Sequence, residues 1–225
     1  QDIADILSAQ LFEAKKEFIK AEQSYNKALK KHPSRKSTLG LFNVLNQQQK
    51  HAEAQALIQK WLIDNPKDLL VKIALAESYI NQENFPRSLE LYQALIKEYQ
   101  RMPILLNNAA NVALRLGDVA LAANLANEAY EKAPKSPSII DTLAWVKTQQ
   151  EKRTEAITLF RQALVLDFDN AEVKYHLAVT LKEEKRDREA YKLLAEAVKA
   201  EQDFTAKSTA KQLLIQWKED KSAEN

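Results

Sequence analysis

The chain has 225 residues, 45% of them apolar and 28% charged, and its 33 Lys and Arg nearly balance 31 Asp and Glu for a net charge of +2. The two signs are interleaved, which argues for a solvated surface and against a basic nucleic-acid-binding face. Without cysteine there are no disulfides, thiol nucleophiles or cysteine metal sites, and with Gly40 and Gly117 as the only glycines there are no Gly-rich phosphate loops.

No apolar run approaches the ~18 residues that would suggest a membrane span. The opening Gln1-Asp2-Ile3 has neither an initiator Met nor a signal-peptide pattern. It reads as a piece of something longer, or as a processed form; the first is favoured because the array below opens without a cap.

The order of the chain is set by small residues. Ala122, Ala156 and Ala190 lie 34 residues apart, as do Ala110, Ala144 and Ala178, and Ala129, Ala163 and Ala197. Extending that frame divides the chain into six copies at about 2–34, 35–68, 69–102, 103–136, 137–170 and 171–204, each predicted to be a pair of helices. The first helices carry stripes such as Leu75, Ala76 and Tyr79, or Leu177, Ala178 and Leu181. The second helices carry a small residue at one position, Ala21, Ala54, Ser88, Ala122, Ala156 or Ala190. Four residues on come Tyr25, Ile58, Tyr92, Ala126, Phe160 and Leu194. That spacing keeps both on one helix face, where small and large residues interlock with a neighbouring helix. Pro33, Pro66 and Pro134 end second helices. Asp68, Ser136 and Asn170 are placed to cap the next helix, and Pro103 and Pro137 sit at first helical positions. The second copy departs from the pattern: Phe42 and Trp61 are oversized, which predicts a splayed or shifted pair over 35–68. Beyond the array, Ala206, Ala210, Leu213 and Trp217 predict an amphipathic capping helix over 205–219, followed by a polar tail over 220–225.

A 34-residue period with two helices per copy is the pattern of the tetratricopeptide repeat (TPR), which the chain resembles over almost its whole length. The succession Asn65-Pro66-Lys67-Asp68, Asn107-Asn108-Ala109, Ala129-Tyr130-Glu131-Lys132-Ala133-Pro134, Asp141-Thr142-Leu143-Ala144-Trp145 and Tyr175-His176-Leu177-Ala178 is also similar to the C-terminal repeats of the PEP-CTERM-system TPR lipoproteins. That resemblance implies a bacterial protein of the envelope, periplasmic or held to a membrane by a lipid anchor outside this segment, in exopolysaccharide production or protein sorting. The sequence by itself also allows a cytoplasmic home. The family has no catalytic role.

The TPR resemblance further implies an all-α right-handed solenoid whose first helices form an inner wall. The candidate binding residues on that wall are Asn107, Asn111 and Arg115, then Asp141 and Trp145, then Tyr175. Asn both donates and accepts, so it can hold an extended backbone without reading its sequence. Tyr and Trp supply flat apolar area of the kind that anchors interfaces. The expected ligand is a protein or peptide, or else a polysaccharide strand. No cofactor, metal, nucleic acid or direct membrane insertion is expected, and no enzyme activity. Asp141 and His176 stand one copy apart on helices ~10 Å from each other. With no nucleophile facing them, a solvated or hydrogen-bonded histidine is expected there. Trp61 and Trp217 read as core and cap, and Trp145 as a wall residue whose loss would spare stability. The competing reading is an architectural spacer or self-association module, which would scatter these residues over different surfaces.

Overall fold

The computed structural model describes residues 2–201 and 204–223, which form thirteen α-helices and no strand. The fold is all-α, in two compact units, Gln1–Leu91 and Tyr92–Asn225. The first contains α1 (Asp2–Ala14), α2 (Phe18–Lys31), α3 (Arg35–Gln47), α4 (His51–Asp64), α5 (Leu69–Asn81) and the start of α6 (Phe85–Glu98). The second runs from the rest of α6 through α7 (Pro103–Arg115), α8 (Val119–Lys132), α9 (Pro137–Gln149), α10 (Arg153–Leu166), α11 (Ala171–Glu183) and α12 (Asp187–Lys199) to α13 (Lys207–Ala223). Helix α13 thus continues into the stretch expected to be a tail. Gln1, Gln202, Asp203, Glu224 and Asn225, which the expected array and tail include, lie outside the described residues.

The small residues that set the 34-residue frame are buried. Ala21, Ala54, Ser88, Ala122, Ala156 and Ala190 are all 0% exposed. A methyl-sized side chain at these points lets the two helices of a copy approach closely enough to exclude water. Around them each unit gathers its own core, one including Tyr25, Phe42 and Ile58, the other Ile140, Phe160 and Leu194.

Contacts between successive copies follow a second rule. The bulky residue four places after the small one meets the same position of the next first helix. Phe160 faces His176 at 6.1 Å between ring centroids, and the Tyr92 hydroxyl accepts a hydrogen bond from the Asn108 amide at 3.2 Å. In the first unit the partner of Tyr25 is Gly40. A Cβ built on that glycine would lie 2.2 Å from the Tyr25 ring, so only a bare backbone fits there.

The turn inside each copy uses one backbone device. Lys16, Gln49, Glu83, Gly117, Glu151 and Lys185 all have φ between 56° and 77°. Only the fourth is the glycine that this left-handed conformation favours. Caps vary more. Asp68, Asp118 and Asn170 accept from the third backbone N–H of their helices, and Ser34 forms a reciprocal capping box with Ser37. Ser136 makes no such bond, against expectation, because its hydroxyl turns 3.2 Å from that of Ser138.

The second copy, where a splayed or shifted pair is expected, packs more loosely than the first. Helices α3 and α4 pack together less extensively than α1 and α2 do. Trp61 is only partly buried and its indole N–H donates to Asp68 at 2.9 Å. Burial pushes the Asp68 carboxyl up, but hydrogen bonds from Arg35, Trp61 and Val71 outweigh it and hold it below the usual carboxylate range.

Candidate functional site

In the second unit the first helices α7, α9 and α11 lie side by side, each packed against the next. Two polar bonds fix their register. The Asn111 amide donates to the Thr142 hydroxyl at 3.3 Å, and the buried Thr148 and Thr180 hydroxyls meet at 3.0 Å. Residues spaced as Asn111, Trp145 and Val179 are therefore carried by three neighbouring helices in one row.

Three of the six residues expected to bind converge on a seventh. The His176 Nδ1 lies 3.0 Å from both carboxylate oxygens of Asp141. Trp145 stacks on the imidazole at 4.6 Å and 21° between planes, and Tyr175 tilts against it at 5.4 Å. Phe204 closes the far side of Tyr175 at 5.9 Å. The Asp141 and His176 side chains are only 12% and 15% exposed.

The electrostatics follow from that enclosure. Burial alone would lower the pKa of His176, yet the charge and hydrogen bond of Asp141, with help from Glu172, outweigh it and leave the imidazole above the usual histidine range. Burial also pushes the half-buried Glu172 carboxyl and the Tyr175 phenol up from their usual values. The face thus carries a charge-paired imidazole under an indole, with a second acid beside it.

The other expected residues divide. Asn111 is exposed on the wall, next to the cluster through Thr142, and Arg115 is exposed in the last turn of α7. Asn107 is 5% exposed and belongs to the packing; its amide oxygen has no hydrogen-bond partner among the described residues. Trp145 is half-buried against the second unit's core, so Trp145→Ala would strip packing as well as wall surface. Trp217, at 9% exposed, is part of the same core. Helix separation did not keep Asp141 from His176, because the two side chains together span the gap. Their 35-residue spacing, one copy plus one residue, was the signal available in the sequence. Glu172, one turn before His176, gave no such signal.

The paired helices, their 34-residue repetition and a polar-aromatic wall on the first helices define an α-helical repeat scaffold. The chain belongs to the tetratricopeptide-repeat proteins: two family models described as tetratricopeptide repeat match it, over residues 73–137 and 147–214. Proteins of this kind are protein-interaction scaffolds, generally without catalysis. A curated relative is the cellulose synthase operon protein C of Pseudomonas fluorescens (strain SBW25), 30% identical over 114 residues. That alignment spans 51% of this chain and 9% of the relative.

Solved structures agree on the fold. The APC/C hetero-tetramer Cut9-Hcn1 matches at a TM-score of 0.71 and 17% identity, over 96% of this chain and 43% of that one. The type IV pilus biogenesis factor PilW matches at 0.67 and 16%, over 87% and 91%. YrrB, described as a TPR protein with an unusual peptide-binding site, matches at 0.52 and 16%, over 84% and 97%.

Proposed function

We propose that the α7–α9–α11 wall is the docking surface of a non-enzymatic scaffold, and that it takes an extended segment of a partner protein. The observation that carries this reading is the convergence of Asp141, Trp145 and Tyr175 on His176. A spacer has no need to gather its aromatic and ionisable side chains on one face. The partly buried Trp145 supplies contact area at low entropic loss, backed by the buried Tyr175, and a wall already fixed by Asn111–Thr142 and Thr148–Thr180 needs no ordering on binding. Candidate contacts are Asn111, Arg115, Asp141, Trp145 and Tyr175. Asn107 acts from beneath, as a support of the wall.

The setting belongs to the same proposal. The relative in a cellulose synthase operon and the resemblance to PEP-CTERM-system lipoproteins both point to envelope exopolysaccharide export or sorting, with a polysaccharide strand as the second candidate ligand. The test is affinity capture from cells that make the protein, using the intact chain and the wall variants Asn111→Arg and Val179→Arg, which leave the His176 contacts in place. A protein retained by the intact chain and lost with both variants is the expected result. Capture unaffected by the variants would favour the spacer, and retention of polysaccharide alone would favour the strand.

A further inference from the structure

Helix α1 presents a face that every later first helix buries. Leu11 is 55% exposed, whereas its equivalents Val44, Ser78, Val112, Val146 and Thr180 are all 3% exposed or less. Ala4 and Ser8, which share that face at helical spacing, are exposed too, while the equivalents of Ala4 from Ser37 to Val173 are buried. Next to them Leu7 is 57% exposed. Helices α3, α9 and α11 pack on both helices of the copy before, on α2, α8 and α10 and more lightly on α1, α7 and α9, and in α11 this face meets α9 where the Thr180 and Thr148 hydroxyls touch.

From this we infer that the Ala4–Leu7–Ser8–Leu11 face of α1 is a repeat-to-repeat interface, covered in the natural polypeptide by the helix pair of a further TPR unit lying ahead of α1. The bare face continues the interface that the later copies complete. Position for position, Leu7 corresponds to Gly40, Asn108 and His176, which receive Tyr25, Tyr92 and Phe160. In each case the residue received is the large one four places after the small residue of the preceding second helix, and Leu7 is placed to receive its counterpart. The end of a second copy does not fit. As far as Lys218, the exposed face of α13 is Ser208, Thr209, Lys211, Gln212 and Gln216 around a single Ile215.

The lack of cysteine allows a direct test. Leu11→Cys and Ile19→Cys are made separately in the 225-residue chain and in the polypeptide as the cell produces it, and each thiol is labelled with a maleimide. Ile19 is 68% exposed and its equivalents in all later copies are exposed, so it serves as the control. The expected result is fast labelling of both thiols in the 225-residue chain. In the natural polypeptide, Leu11→Cys labelling should slow at least about tenfold and Ile19→Cys should not change. Equal labelling of Leu11→Cys in both proteins overturns the inference, as does a natural polypeptide with nothing ahead of Asp2. Protection that appears in the 225-residue chain as its concentration rises assigns the face to a second copy, and overturns it as well. None of these outcomes depends on what the α7–α9–α11 wall binds.

Discussion

An imidazole with a carboxylate on one nitrogen, an indole on its face and little contact with water holds its proton differently from one in a peptide. For His176 the Asp141 pairing prevails over burial, so the folded value lies above the ordinary ~6.5. A raised value means that folding favours the protonated ring. Its contribution to stability is complete below the unfolded value and is lost as pH rises through the folded one. Proton NMR titration should place the His176 midpoint above that of a histidine in an unstructured peptide, and Asp141→Asn should bring it down. A midpoint at or below the peptide value would show that Asp141 does not govern the ring. As pH rises through a raised midpoint the ring loses its positive charge, which leaves Trp145 over a neutral imidazole and the pair with Asp141 more negative. Little of this could be read from the sequence. Asp141, Trp145 and Tyr175 are visible as polar and aromatic residues at wall spacings, but their meeting point depends on side-chain reach across α9 and α11, which periodicity does not encode.

At the scale of elements, the sequence was far more informative, because helix pairing depends on residue size and size repeats. Alanines at a fixed phase marked the close approaches, and all six of the small residues at the second-helix phase are fully buried. Capping was less legible: Ser136 has the right residue type in the right place, yet its hydroxyl goes to Ser138. The looser packing of α3 on α4 fits the splayed or shifted pair that Phe42 and Trp61 lead one to expect, while the role of Gly40 was not legible, since a glycine in a helix gives no hint of the ring that needs its space. Gly40→Ala should force the Tyr25 ring out of its 2%-exposed position, where its hydroxyl donates to Glu13 at 3.0 Å. Overpacking of this kind costs about 1–3 kcal/mol. Urea unfolding should register that loss, and Tyr25→Leu in the same chain should recover part of it. A variant as stable as the parent would mean that the ring moves aside freely and that the α2–α3 contact is loose.

At the scale of the molecule, function follows from repetition. Each copy is too small to bury its own helix faces, so its stability depends on its neighbours. The first helices of neighbouring copies then stand side by side, which carries side chains 34 or 35 residues apart into contact, as with Asp141 and His176. This explains why a wall can be assembled from residues that look scattered in the chain. It also explains why the identity of a ligand is the least legible property: many wall residues can change while the packing residues hold the same architecture. The α9–α10 contact at Ala156 is the place to test that dependence. Ala156 is 0% exposed, and Ala156→Leu would add three carbons where the helices have no room. The account predicts a loss of about 1–3 kcal/mol in equilibrium urea unfolding; an unfolding curve superimposable on that of the parent would contradict it.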